Sequence, residues 1–214
     1  DEKPHTIIIA TGGLPNLELF ETKKNLENVY TSWDIISGDI KLSDNILIYD
    51  EAGDHTGMQS AEIAIKEGST VEFMTPDRLI SSEIMGMNLT PYLKNLQNKK
   101  ITYSIAKRLL DVSIKGNKLN ALIGSDYDEN FKYHSFYDQI FLNYGIKPLD
   151  ELYFSLVPYS KNKGEIDYKK FINGEEQDII SDNNQFNLFR IGDAVSSRNI
   201  HAAIYDALRL VINL

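Results

Sequence analysis

The sequence contains no cysteine. Disulfides, thiolate catalysis and a cysteine-ligated iron–sulfur cluster are therefore excluded within these 214 residues. No metal site is predicted, because the four histidines lack metal-ligand spacing; they are His5, His55, His134 and His201. No apolar run approaches the length of a membrane span, and no signal peptide is recognisable. The chain opens Asp-Glu-Lys-Pro without methionine, which we interpret as an internal start.

Basic residues are fewer than acidic ones, and the difference gives a net charge of −9. An acidic chain repels the nucleic-acid backbone and anionic lipid, so neither partner is predicted. The aromatic residues form no stripe of the kind that stacks bases. Acidity is common among cytoplasmic proteins, and a cytoplasmic location is our prediction.

Two short apolar runs in the first half of the chain predict buried strands at 6–10, covered on both faces, and at 45–49. A further strand is predicted at 70–74. Helical spacing of apolar residues predicts a helix over 57–66, between the strands at 45–49 and 70–74. A strand, helix and strand within about 30 residues form a βαβ unit, which calls for a parallel sheet. The other elements predicted in this half are a strand at 28–30, a helical turn at 33–36, a helix at 88–98 and a strand at 101–105.

The second half begins with three β-rich segments, at 109–115, 118–124 and 131–136. Gly116-Asn117 separates the first two and is a hairpin signal, so we predict a β-meander laid across the parallel sheet. A buried strand follows at 138–142. The polar stretch 158–184 is expected to be irregular surface. The remaining predicted elements are edge strands at 165–168 and 170–172, a strand at 187–191 and a helix at 200–212.

Two motifs far apart in the chain belong together. An apolar strand ends in Ala10-Thr11-Gly12, and a distant strand ends in Gly192-Asp193-Ala194. This pair is the signature of the nucleotide domains found in flavin disulfide-reductase-like proteins. In these proteins a glycine-rich turn lies upstream of the Ala-Thr-Gly strand, and no such turn precedes it here. We therefore expect the C-terminal part of a longer flavoenzyme.

The order of elements resembles the C-terminal half of the trimethylamine dehydrogenase and 2,4-dienoyl-CoA reductase family of NADH:flavin oxidoreductases. The resemblance implies an α/β fold with FAD/NAD(P)-binding Rossmann-like domains. An inserted NAD(P)H-like domain, a parallel βαβ unit with a β-meander, would cover 44–137. It would interrupt a partial FAD- or ADP-binding domain formed by 1–43 and 138–214. The missing N-terminal barrel would carry FMN and a 4Fe–4S cluster and would be a partner within the same chain.

The loop sequence from Tyr49 to Gly57, followed by Ser60-Ala61-Glu62, is most similar to the amine-dehydrogenase branch of this family. The resemblance implies oxidation or demethylation of an amine at the absent flavin, so no catalytic residue is expected here and the 214 residues alone would be inactive. An alternative is a 2,4-dienoyl-CoA reductase-like enzyme that takes hydride from NADPH. Another is a non-catalytic ADP-binding module or a docking face for an electron-transfer flavoprotein.

The resemblance also implies a nucleotide site at the two motifs. Asp193 is expected to accept hydrogen bonds from hydroxyls of the flavin ribityl chain or the ribose, because a carboxylate offers several lone pairs to such hydroxyls. Gly192 would permit close approach, and a helix N-terminus would face the cofactor. The predicted cofactor-binding residues are Thr11, Gly12, Gly13, Gly192, Asp193, Ala194, Asn199, Ile200 and His201. The alternative interpretation is a simple turn at Asp193 and a helix cap at Asn199. Without the upstream turn, FAD or ADP would be held poorly.

The loop 50–57 stands where a G-x-G-x-x-G fingerprint belongs. Here Gly53 and Gly57 are four residues apart, and the close glycine pair is absent. Asp50, Glu51 and Asp54 would oppose a diphosphate in a turn of low dielectric. The next strand ends in Thr75-Pro76 without the usual acid for the ribose. Arg78 could meet a 2′-phosphate, but a surface arginine beside Asp77 is the better interpretation. We predict a degenerate dinucleotide loop, formed by Asp50, Gly53 and Gly57, that has lost or nearly lost its NAD(P)H cofactor.

Overall fold

The computed structural model describes residues 3–17, 26–177 and 186–212. The chain forms two compact units. The central unit comprises residues 15–145, and the terminal unit comprises 1–14 together with 146–214.

The central unit is built on a five-stranded parallel sheet with strand order β3-β10-β4-β5-β6. Its strands are β3 (Val29–Thr31), β4 (Asn45–Asp50), β5 (Thr70–Met74), β6 (Ile101–Ser104) and β10 (Gln139–Asn143). Its helices are α1 (Ser32–Ser37), α2 (His55–Lys66) and α3 (Gly86–Leu96). Side chains alternate along β4, so Ile46 and Ile48 pack with α2 while Leu47 and Tyr49 face the other side. Both faces of the sheet are therefore covered, as its continuous apolar strands require.

A three-stranded antiparallel sheet covers the second face. It consists of β7 (Arg108–Lys115), β8 (Lys118–Gly124) and β9 (Tyr133–Tyr137). Lys115 pairs with Lys118 across a two-residue turn in which Gly116 has a φ of +63°, the left-handed conformation that favours glycine. The predicted hairpin and meander are confirmed.

The terminal unit contains a parallel strand pair, β1 (Thr6–Ile9) and β12 (Asn187–Arg190), in which Ile9 lies opposite Arg190. Two short strands, β2 (Gly13–Pro15) and β11 (Ile146–Pro148), also pair. The helices are α4 (Glu151–Leu156), α5 (Tyr168–Asn173) and α6 (Ile200–Val211). The core of this unit is small, with Ile9, Tyr153, Leu188 and Ala194 at its centre.

Most predicted elements are present, but two expectations at the level of elements were wrong. The edge strands predicted at 165–168 and 170–172 are replaced by α5, because Asp167 caps the amides of Lys169 and Lys170. The strand at 6–9 is not buried on both faces, since only Ile9 is fully buried.

The compact units also divide the chain at different points from the predicted domains. The central unit begins at 15 and ends at 145, whereas the prediction placed the inserted domain at 44–137. The reason is that β10 is fully buried between β3 and β4, which ties both flanking segments to the central sheet. The predicted domain bounds and the assignment of each domain to a nucleotide stay predictions.

Candidate functional site

The turn after β12 carries the Gly-Asp-Ala motif. Gly192 has a φ of +61°, a conformation that L side chains rarely adopt. A Cβ at this position would also lie 3.4 Å from the Cβ of Ala203 in α6. The backbone angle and the limited space both favour glycine, so the turn can lie directly against the helix.

A buried carboxylate on α6 holds this turn. Asp206 is 5% exposed and accepts a hydrogen bond from the Gly192 amide at 3.1 Å. Arg198 forms an ion pair with Asp206 from the segment between the turn and the helix. Sequence analysis missed both residues, although an arginine and an aspartate eight positions apart beside the motif were a usable signal.

An arginine at the end of β12 holds the same turn from the other side. Arg190 donates to Asp150 at 2.8 Å and to the Ala194 carbonyl at 3.3 Å. Its guanidinium stacks on Tyr153, 4.7 Å from the ring centroid. The turn is thus fixed by side chains of the protein itself, which gives Asp193 a defined position before any ligand arrives.

The Asp193 carboxylate is held only loosely. The side chain is half-buried, and its Oδ1 lies 3.4 Å from the Arg198 amide, which is a long hydrogen bond. Within the described ranges we find no other hydrogen bond to this carboxylate. Most of its lone pairs are therefore free to accept from hydroxyl groups.

The N-terminus of α6 follows this turn. Asn199 caps the helix by accepting from the Ala202 amide at 2.9 Å. The alternative interpretation of Asn199 as a cap therefore describes what its side chain does. Ile200 and His201 are exposed, and no acceptor for their amides lies in the described part of the chain. Such amides at a helix N-terminus favour an anion.

The other predicted motif follows β1 at the same end of the strand pair, because Ile9 and Arg190 are in register. The Thr11 hydroxyl donates to the Leu149 carbonyl, and the Gly12 carbonyl accepts from the Leu149 amide at 2.9 Å. A Cβ on Gly13 would overlap the Ile146 side chain. These contacts explain the residue types as a tight chain reversal, and a ligand role for Thr11, Gly12 and Gly13 stays a prediction.

In the central unit, the loop 50–57 joins β4 to α2. Asp50 is fully buried, and its Oδ1 accepts from the Gly53 amide at 3.0 Å and from the Asn143 side chain at 2.8 Å. Asp54 caps α2 by accepting from the Thr56 amide at 2.9 Å and also bonds Asn143, at 2.9 Å. Two carboxylates of the protein therefore use the donors that a dinucleotide phosphate would need. Asn143, which sequence analysis missed, lies beside Asp50 in the sheet register.

The second oxygen of Asp50, Oδ2, is buried without a hydrogen-bond partner. Burial, and to a lesser extent the charge of Asp54, raise the pKa of Asp50 to about 7, although the bonds from Gly53 and Asn143 oppose the shift. A Cβ on Gly57 would lie 2.9 Å from the Asp50 Cγ. Gly57 is thus the residue that leaves room for this carboxyl group.

Glu51 points away from the loop interior. Its Oε1 accepts from the Tyr49 hydroxyl at 2.6 Å and pairs with Arg108 at 2.8 Å. Arg108 also pairs with Asp126 at 2.6 Å, which completes a network on the meander side. Of the three acids that were expected to crowd the turn, Glu51 is neutralised elsewhere, and Asp50 and Asp54 remain.

No group of histidine and acidic side chains in the described residues could hold a metal ion. In the same residues, no helix has both the length and the apolarity needed to cross a membrane.

The structure matches thioredoxin reductase from Lactococcus lactis with a TM-score of 0.62 at 16% identity, covering 95% of this chain and 63% of that one. The predicted fold of FAD/NAD(P)-binding flavoprotein reductases is thereby confirmed. No family model matches the chain.

Two relatives are similar to the chain in sequence along almost its whole length. The chain is 50% identical over 98% of its length to a probable N-methylproline demethylase from Rhizobium meliloti. It is 30% identical over 98% of its length to an N,N-dimethylglycine/sarcosine dehydrogenase from Chromohalobacter salexigens. These similarities confirm the predicted resemblance to this family of flavin oxidoreductases. The chain spans 31% and 32% of the length of these two relatives.

Proposed function

We propose that these residues are the C-terminal nucleotide-binding region of a longer flavin-dependent oxidoreductase that demethylates or dehydrogenates a secondary or tertiary amine. The supporting observation is the 50% identity, along almost the whole chain, to a probable N-methylproline demethylase. Because the chain spans about a third of that relative, the amine and the reacting flavin would lie outside these residues. The region itself is then inactive alone.

The terminal unit would hold FAD or ADP. Asp193 would accept from the sugar or ribityl hydroxyls, and the amides of Ile200 and His201 would face the phosphates. Three features support this assignment: the loosely held carboxylate, the turn fixed by Asp206 and the open amides of α6. Aspartate at 193 suits hydroxyl donors because it only accepts hydrogen bonds when ionised.

The central unit would keep the dinucleotide fold without its cofactor. Asp50 and Asp54 occupy the amide donors of the β4–α2 turn and place carboxyl oxygens where a diphosphate would lie. Introducing glycine at Glu51 or Ala52 should therefore fail to create NAD(P)H binding, since neither change removes these carboxylates. Micromolar NADH binding by the unmodified chain would contradict this part of the proposal. Electrons would pass instead to a protein acceptor such as an electron-transfer flavoprotein.

The test is anaerobic reduction of the flavin in the purified longer protein. We expect N-methylproline, dimethylglycine or sarcosine to bleach the flavin absorbance, and NADPH to leave it oxidised. Bleaching by NADPH, with reoxidation by a 2,4-dienoyl thioester, would instead support the 2,4-dienoyl-CoA reductase-like alternative. A protein that holds nucleotide but whose flavin responds to neither donor would contradict the proposed activity.

A further inference from the structure

A cavity of about 190 Å³ lies within the terminal unit, next to the turn that carries the Gly-Asp-Ala motif. Its wall is formed by parts of α5, β12 and α6 together with the segment between the turn and α6. The described residues that line it include none of those predicted to hold a nucleotide. Drug-sized ligands occupy cavities of roughly 300–1,000 Å³, so this one suits a smaller molecule and is too small to enclose a nucleotide.

Most side chains that line this cavity are aromatic or carry a guanidinium group. The aromatic rings belong to Tyr153, Tyr168, Phe171 and Phe189, and the guanidinium groups belong to Arg190 and Arg198. Tyr168 is 68% exposed, which places its ring at the mouth of the cavity. Apolar and aromatic walls with a few placed polar groups are typical of sites for small ligands.

The acceptor groups in this wall are already used. Asp206 is the one carboxylate among the described residues that line the cavity. Its Oδ1 accepts from Arg198 at 3.3 Å, and its Oδ2 accepts from Arg198 and from the Gly192 amide. The Gly164 carbonyl accepts from the Tyr153 hydroxyl at 2.7 Å. A cation entering the cavity would therefore meet two arginines and only a carboxylate that is already paired.

Donor groups remain available, above all on Arg190. Its Nη1 makes both of its hydrogen bonds, to Asp150 and to the Ala194 carbonyl. Its Nε and Nη2 have no acceptor in the described part of the chain, and these two groups share the other edge of the guanidinium. Such an edge donates two parallel hydrogen bonds to a carboxylate. Arg190 is also held in place by stacking on Tyr153, so little side-chain freedom would be lost on binding.

We propose that this cavity binds a small carboxylate that carries a flat apolar ring. The carboxylate accepts from Nε and Nη2 of Arg190, and the ring packs between Tyr168 and Phe171. Benzoate is the simplest molecule of this class. The site is separate from the nucleotide site proposed at Asp193, and it adds a second kind of ligand to the terminal unit.

Ligand-detected NMR titration of the 214-residue chain with three matched compounds tests the chemistry of the site. Benzoate has both the carboxylate and the ring, benzamide replaces the charge with an amide, and acetate lacks the ring. We expect benzoate to bind with a Kd below about 1 mM, and the other two at least about tenfold more weakly, because each lacks half of what the site recognises.

Substitutions in the wall test the location. Arg190→Lys keeps the charge but loses the planar edge, and should weaken benzoate at least about tenfold. Tyr168→Ala removes an exposed ring, so it should leave the fold intact, and should weaken benzoate at least about threefold. Tyr159→Ala, at a residue of the same unit that is 65% exposed and outside the cavity, is the matched control and should leave the Kd unchanged.

Three results would each overturn the proposal. The first is a benzoate Kd above about 10 mM, which is too weak for a formed site. The second is equal binding of benzamide or acetate. The third is benzoate binding that Tyr168→Ala does not weaken, since the anion would then lie elsewhere, for example at the amides of α6. If Arg190→Lys fails to fold, Tyr168→Ala still decides the location. None of these results depends on the flavin-reduction test, so the two proposals can fail separately.

Discussion

Asp50 is the buried side chain that fills the turn after β4 in the central unit. In a dinucleotide domain, the turn after the first strand offers amides to a phosphate from outside. Here a carboxyl group of the chain itself takes that place, held by Gly53 and Asn143 and sheltered by Gly57. The turn is satisfied without a ligand, and its residue types follow from this internal contact.

The first prediction at this scale concerns pH. The pKa of Asp50 is raised from 3.8 to about 7 on folding, so the folded state holds the proton more tightly than the unfolded state. The stability that this proton confers is complete below pH 4 and is lost as the pH rises through 7. Between pH 5 and pH 8 the loss is on the order of 2 kcal/mol.

Asp50→Asn isolates this contribution, because asparagine resembles the protonated acid. We expect the stability of Asp50→Asn relative to the parent chain to rise between pH 5 and pH 8 by about 2 kcal/mol in urea unfolding. Asp128→Asn, which replaces an exposed carboxylate between β8 and β9 outside the loop 50–57, is the control. A difference between parent and Asp50→Asn that does not change with pH would show that Asp50 is ionised throughout.

The second prediction concerns the space that Gly57 leaves for the Asp50 carboxyl group. Gly57→Ala should destabilise the chain by about 2 kcal/mol, because its Cβ would meet the Asp50 carboxyl group at 2.9 Å. In an Asp50→Ala background the same change should reduce the free energy of unfolding very little, because alanine is more favourable than glycine within a helix. Urea unfolding of the four proteins gives the coupling energy between the two sites. Additive effects would show that Gly57 is not needed to make room for the Asp50 carboxyl group.

At the scale of elements, the sequence predicted what depends on local pattern. The alternation of strands and helices, the hairpin at Gly116 and the amphipathic α2 follow from short-range spacing, and the structure has them. It did not predict α5, because six residues are too few to show a helical period and the signal lies in the caps Asp167 and Gly174. Nor could it predict that β10 lies between β3 and β4, since pairing joins segments about 100 residues apart.

The third prediction concerns the hydrogen bonds that Asn162 makes to the backbone at the edge of β12. Asn162 is 3% exposed and satisfies both backbone groups of Leu188. Asn162→Ala would leave a buried amide and a buried carbonyl without partners, which costs about 2–4 kcal/mol of unfolding free energy. Asn173→Ala, at an exposed position at the end of α5, should change stability by less than about 0.5 kcal/mol. Equal small effects in urea unfolding would contradict the role given to Asn162.

At the scale of the whole molecule, the two turns that were predicted to be of the nucleotide-binding type differ in what their own side chains do. The turn at 50–57 is filled by Asp50 and Asp54, whereas the turn at Gly192 leaves Asp193 and the α6 amides available. The motifs alone located both turns. They did not show which donors were already used, because Asn143 lies 93 positions from Asp50 in the chain, and because the nearer signal of Asp206 beside Gly192 was missed.

The most direct test is a thermal-shift titration of the 214-residue chain with ADP, FAD, NADH and NADPH up to millimolar concentration, repeated on Asp193→Ala. Ligand at five times its Kd adds about 1 kcal/mol to the stability of the folded state. We expect a concentration-dependent rise in Tm with ADP or FAD that Asp193→Ala abolishes, and no rise with NADH or NADPH. A rise with NADH or NADPH that persists in Asp193→Ala would contradict it, since the loop 50–57 would then bind the cofactor that its carboxylates are argued to exclude.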